Sequence, residues 1–184
     1  MWDDAAGYEA YVGHWSRALA PRFLAWLGLP KKLKWLDVAC GTGAVTSAIL
    51  EYCDPAQVTS VDGSANYLEA ARNGIADARA RFEIGDARNL PFTDESFDAS
   101  VSGLALNFIG TERTLPEQRR VVRPGGTVAA YLWDYAGGYE YARRFWDAAV
   151  AIDARAANYD PGRKWKICSE VGLRSVYRRR ICGD

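Results

Sequence analysis

The stretch Trp35-Leu-Asp-Val-Ala-Cys-Gly-Thr-Gly-Ala-Val-Thr46, WLDVACGTGAVT, decides the fold. It continues an apolar run over 33–39, breaks at the turn Cys40-Gly-Thr-Gly43, and passes into Val45, Ala48, Ile49 and Tyr52 at helical spacing. A short apolar run ended by glycines and followed by a helix reads as a buried strand turning into its crossover helix. Gly41 and Gly43 let the backbone approach a ligand closely, and the helix that follows offers free N–H groups. Taken alone, a GxG turn is as often a generic turn, so its weight comes from its surroundings.

Upstream, Tyr8, Tyr11, Trp15 and Leu19 share one helical face, and Phe23, Leu24 and Leu27 follow Pro21, which is expected to open a new helix. Downstream the alternation repeats: a strand over 57–61, a helix over 64–73, a strand over 81–84, a turn-rich stretch over 85–96, a strand over 97–102 and a helix over 112–121. Arg123-Pro-Gly-Gly126 turns into a strand over 127–133, and residues 139–157 read as one long amphipathic helix. Strands and helices alternating at this pace predict an α/β domain, a mostly parallel sheet with helices on both faces. No internal repeat or linker interrupts the pattern.

Composition narrows the function classes. The chain has 184 residues, 49% hydrophobic, with 23 basic and 23 acidic side chains, enough for a core and too balanced for a protein whose main task is to hold a phosphate backbone. No nucleic-acid partner is expected. Cys40, Cys53, Cys168 and Cys182 form no CxxC pair, so neither a disulfide framework nor a metal site is expected, and free thiols fit a reducing cytoplasm. The N-terminus carries Asp3, Asp4 and Glu9 where a signal peptide would be basic, and no window is apolar enough for membrane insertion. With His14 as the only histidine, nucleophilic schemes built on a Ser/His or Cys/His pair lose ground.

In open α/β sheets ligands bind beyond the carboxyl ends of the strands. Asp62 closes the second strand about 20 residues beyond the glycine turn, where a carboxylate can accept both hydroxyls of a ribose. Strand, GxG, helix, strand and acid together imply an adenosine-containing ligand. A nicotinamide or flavin dinucleotide normally wants a third glycine at the position held here by Thr46.

Four stretches in order, WLDVACGTGAVT, SVDGSANYLEAAR, FEIGDARNLPFTDESFDASVSGLALNF and RVVRPGGTV, resemble the class I S-adenosylmethionine-dependent methyltransferases. The similarity is to the type 11 branch that includes ubiquinone and menaquinone biosynthetic enzymes, and it covers residues 8–134. The resemblance implies a Rossmann-like sandwich, S-adenosyl-L-methionine as cofactor and S-adenosyl-L-homocysteine as product. It implies that Asp37 orients the cofactor's ammonium or orders the loop, and that the backbone of Ala39, Cys40 and Gly41 lines the methionine moiety. Asp62 would hold the ribose, Gly63 and Ser64 would flank the adenine, and Asp86 and the Ala87 N–H would hydrogen-bond it. Ser102 would present backbone near the methionine part and the substrate. Residues 1–30 would form a helical lid, with Tyr11 and Trp15 in it and Arg17 pairing with the cofactor's carboxylate.

No dedicated catalytic residue is obligatory for such a transfer; a general base is an option, and His14 is the candidate. Residues 33–134 would hold the cofactor and 135–184 would be a shortened remainder, since only 51 residues follow Trp133. That leaves room for one strand over 173–181, so the sheet edge is expected either to lack a strand or to be filled by this segment. An open edge would accept a second chain as a homo-oligomer. Arg178, Arg179 and Arg180, with Arg174 nearby, read as a solvated or edge-protecting run. The leading function is methyl transfer to a small-molecule acceptor. Its alternatives are a cofactor-binding protein without turnover, a nucleotide-dependent dehydrogenase and an RNA methyltransferase.

Overall fold

A computed structural model describes Gly7 and residues 9–177, without the side chains of Ala10 and Tyr11. Strand β1 (Lys34–Val38) is central, and its burial follows from its sequence. Trp35 packs with Val45, Ile49 and Leu50 on one face of the sheet, while Leu36 and Val38 pack with Val61, Phe97 and Val121 on the other. A strand covered on both faces must be apolar at successive positions, which is why 33–39 reads as a continuous run. Each fully buried side chain of this size contributes about 1.5–3 kcal/mol.

Around β1, strands β2 (Gln57–Asp62), β3 (Ala80–Ile84), β4 (Phe97–Gly103) and β5 (Val122–Tyr131) form an all-parallel sheet in the order β3-β2-β1-β4-β5. The strand order reverses at β1 and β4, and a crevice opens beyond their carboxyl ends. The helices are α1 (His14–Leu27), α2 (Ala44–Tyr52), α3 (Ala65–Gly74), the short α4 (Leu106–Ile109), α5 (Thr114–Val121), α6 (Glu140–Ile152), the short α7 (Pro161–Lys164) and α8 (Glu170–Tyr177). Ser64 caps α3 by accepting the Tyr67 N–H at 3.3 Å.

Several expectations change. Pro21 does not open a helix: α1 runs through it, after a π-helical turn over Glu9–Gly13, because Ala20, Phe23 and Leu24 on both sides of the proline are held in the core. The proline's missing donor is outweighed by that burial. The amphipathic helix ends at Ile152, and a 3-10 turn over Ala154–Asn158 follows, started by Asp153 accepting the Arg155 N–H. The RPGG turn is absorbed into β5 as an irregularity, with the register to β4 shifting between Phe97 and Ala99.

The strand expected over 173–181 is not formed where the chain is described. Residues 170–177 are helical instead, the Gly172 N–H donating to Ser169 Oγ at 3.0 Å and the Leu173 N–H to the Ser169 carbonyl at 2.9 Å. Arg174 pairs with Glu170 one turn away, and residues 178–181, with Arg178, Arg179 and Arg180, lie outside the described residues. Among the described residues β5 is therefore paired on one side only.

Candidate functional site

The crevice is built from the turns that leave the strands. Asp37, near the end of β1, is fully buried, and its Oδ2 accepts the Thr46 hydroxyl at 2.7 Å while Ser60 Oγ of β2 lies 2.7 Å from the same hydroxyl. Oδ1 has no hydrogen-bond partner. Burial pushes the Asp37 carboxyl up to about 7; the Thr46 bond opposes this and the Asp62 charge adds to it. Thr46, the residue in the third-glycine position, thus ties the first turn of α2 to β1 and β2.

Between these anchors the chain takes positive φ at Ala39 (56°), Gly41 (54°) and Gly43 (85°). Ala39 pays a strain of about 1–3 kcal/mol, as does Leu104 (58°) beyond β4, and both line the cavity. A side chain at Gly41 would meet nothing within 4 Å, so its backbone faces open space, whereas at Gly43 it would strike Ile75 Cδ1 at 2.7 Å.

Asp62 ends β2 and locks the turn to it. Its Oδ2 accepts the Gly41 N–H and its Oδ1 the Ser64 N–H, both at 2.9 Å. Asp86, beyond β3, lies against Arg88, whose Nε and second guanidinium nitrogen reach both carboxylate oxygens at 2.9–3.1 Å. The Arg88 hydrogen bonds hold the Asp86 carboxyl below the usual carboxylate range.

These turns surround a cavity of about 950 Å³, near the upper end of ligand pockets, which run to about 1,000 Å³. One wall is polar and follows β1, β2 and β3: Ala39, Gly41, Asp62, Gly63, Ser64, Asp86 and Ala87 all line it. The opposite wall, beyond β4 and β5, consists of Leu104, Ala105, Phe108, Ile109, Trp133 and Tyr135, with no charged side chain among them.

Four expected site residues do not line this cavity: Arg17, Asp37, Cys40 and Ser102. Arg17 pairs with Glu9 at 3.0 Å, and Glu9 also accepts the Thr42 hydroxyl, so the arginine is held on the outside of the glycine turn. Asp37 orders the loop, through Thr46. Cys40 is buried, and its thiol is pushed well up by burial first and by the Asp37 and Asp62 charges next, which leaves it an unreactive filler. Ser102 is fully buried, and the backbone facing the cavity comes one step later, at Gly103, Leu104 and Ala105. His14 is exposed, 4.7 Å from the Trp15 ring, and is not in the cavity wall.

Sequence reasoning did not single out Tyr67, Arg88, Phe108, Trp133 or Tyr135. The available signal was positional, since Phe108, Trp133 and Tyr135 all follow the carboxyl end of a strand in the half of the sheet that meets the crevice.

The donor set fits S-adenosylmethionine: a carboxylate at the end of β2, open backbone at Gly41, and a polar wall next to an apolar one. Among the described residues no cluster suits a metal ion, and no helix is long and apolar enough to cross a membrane. A family described as "Methyltransferase domain" matches residues 36–130. The demethylmenaquinone methyltransferase of Staphylococcus aureus (strain JH9) is 39% identical over 105 residues, covering 55% of this chain and 44% of the relative, so the match spans less than half of that protein. Among solved structures, an S-adenosylmethionine-dependent methyltransferase from Mesorhizobium loti superposes with a TM-score of 0.56 at 25% identity, over 64% of this chain and 55% of the other. The [4+2]-cyclase SpnF superposes with a TM-score of 0.55 at 28% identity, over 61% and 44%. Family and neighbours alike indicate S-adenosylmethionine as the cofactor, and the chain belongs to the class I S-adenosylmethionine-dependent methyltransferases, in the type 11 branch.

Proposed function

We propose that the protein transfers the methyl group of S-adenosylmethionine to a small-molecule acceptor by in-line displacement. The observation that carries this reading is the two-walled cavity, with Asp62 and the open backbone at Gly41 on one side and an uncharged, aromatic surface on the other. Asp62 holds the ribose hydroxyls on its remaining lone pairs while it pins the turn. Ala39 and Gly41 present backbone to the methionine part. Gly63 and Ser64 flank the adenine, and Asp86 and the Ala87 N–H bond its edge, with Arg88 keeping Asp86 ionised. Gly103 to Ala105 face the point of transfer.

Bound S-adenosylmethionine supplies a sulfonium, an already activated methyl donor. What this chain adds is alignment and exclusion of water, effects that together can lower a barrier by about 7–11 kcal/mol. The aromatic wall carries no Lys or Arg to meet a phosphate, and Arg88 is engaged by Asp86, which favours a small apolar acceptor over RNA. Among the described residues the acceptor wall holds one side chain able to exchange a proton, the Tyr135 phenol, and no His, Asp, Glu, Lys or Cys.

Cofactor binding without methyl transfer is a second reading, since a neighbour described as a [4+2]-cyclase has the same fold. Product formation across an acceptor panel separates the two. Methyl transfer and binding share a simpler test: S-adenosylhomocysteine should raise Tm and NAD should not, and the reverse result overturns both.

We read the chain as one domain with a lid over 1–30, a cofactor core over 33–134 and an acceptor-side part over 135–184. A second copy of the chain is the partner that the open β5 edge would accept. A cytoplasmic location rests on Cys40, Cys53 and Cys168 being free thiols.

A further inference from the structure

Among the described residues, those after β5 form helices and turns and add no strand to the sheet, yet they are fastened to the cavity's aromatic wall. The Asp160 side chain is fully buried and receives both terminal nitrogens of Arg143 from α6, at 3.1 and 2.6 Å, together with the Gly162 N–H at 2.9 Å. At Gly162 a side chain would strike the Tyr135 carbonyl oxygen at 2.4 Å, so α7 lies directly on the chain leaving β5. The Ala136 N–H donates to the Cys168 carbonyl at 3.3 Å, closing the same contact from the other end of the segment.

Held between these two attachments is Trp165. Its ring meets Phe108 edge-on at 5.0 Å and Tyr135 at 5.9 Å, with Lys164 Nζ 5.5 Å from its centroid. Phe108 and Tyr135 both line the cavity and Trp165 does not. Phe108 comes from α4, after β4, and Tyr135 from the turn that follows β5. Trp165 is thus the ring that joins two separate parts of the acceptor wall.

We propose that the segment 160–168 is the backing of the acceptor site and that Trp165 is its positioning residue, fixing the spacing of Phe108 and Tyr135 and so the width of acceptor the cavity takes. The inference rests on the methyltransferase reading for the word acceptor, but its geometry concerns the apolar wall alone. Aromatic rings prefer edge-on or offset contacts, so removing Trp165 takes away the ring that links Phe108 to Tyr135, leaves Tyr135 against Tyr139 at 5.9 Å, and opens space behind the wall that widens the slot.

The test uses the full chain and a ring-size series of phenol, naphthol and hydroxypyrene, with binding measured by titration calorimetry in the presence and absence of S-adenosylhomocysteine. Trp165→Ala should move the preferred probe to a larger ring and change its relative affinity by about tenfold. Trp165→Phe should restore much of the original ranking, and it covers the event that the alanine variant does not fold. S-adenosylhomocysteine affinity should stay within about twofold in both variants, because the polar wall is untouched. If the wild type binds no probe, or all three proteins rank the probes alike, the inference is overturned. Failure of the wild type to bind S-adenosylhomocysteine while Trp165 still sets the ranking overturns the methyltransferase reading and leaves the wall in place.

Discussion

Asp62 has two tasks that one substitution separates. It accepts the Gly41 and Ser64 N–H groups at 2.9 Å each, and in the proposed function it also holds the ribose. Hydrogen bonds to a charged acceptor contribute about 1.5–3 kcal/mol each, and water can reach these half-buried amides, so Asp62→Ala should cost about 3 kcal/mol in the free protein. For a chain of this size that lowers Tm by about 6–12 °C. S-adenosylhomocysteine at about 100 times its Kd adds about 2.7 kcal/mol to the wild type, a rise of about 5–11 °C. In Asp62→Ala a loss of affinity of about a hundredfold cuts that increment to about 1–2 °C. Asp62→Asn keeps one acceptor oxygen, so it should recover part of the lost Tm while the ligand increment stays small. Differential scanning fluorimetry with and without ligand reads both effects. A full ligand increment in Asp62→Ala refutes the ribose assignment, and an unchanged Tm in the free variant refutes the pinning of the turn.

Asp37 sets a pH dependence. An unfolded aspartate releases its proton near the usual value of 3.8, the folded one at about 7, so the folded state holds the extra proton between them and stability falls as pH rises through that window, by about 4 kcal/mol in all. Asp37→Asn cannot ionise. Its stability relative to wild type should therefore improve by about 3 kcal/mol from pH 5 to pH 8 in urea unfolding, and parallel pH profiles would contradict the buried-proton account. Among the described residues β5 is paired on one side only, which predicts self-association: light scattering at tens of micromolar should give at least twice the mass of one chain, and a single-chain mass removes the proposed edge-to-edge partner.

Much of the polar wall of the cavity was legible in the sequence because it is local. A strand, a glycine turn and a carboxylate at the end of the next strand place Ala39, Gly41 and Asp62 together through short connections. The sheet imposes that arrangement whatever the rest of the chain does, and the matched motifs carried it to Gly63, Ser64, Asp86 and Ala87. Local pattern also misled where packing prevailed. Pro21 reads as a helix start, yet the burial of Ala20, Phe23 and Leu24 carries α1 through it. The segment 173–181 reads as a strand, yet its described part, residues 173–177, is helical, because the hydroxyl and carbonyl of Ser169 satisfy the first turn.

By itself the sequence determined the alternation of elements, the parallel sheet and the polar wall of the crevice. Only the tertiary structure decided which way Arg17 and Ser102 face, that Thr46 serves Asp37, and that Phe108, Trp133 and Tyr135 come together to line one cavity. These last features depend on contacts between segments far apart in the chain, whose geometry is set by the packing of side chains against one another and leaves no periodicity in the sequence to read.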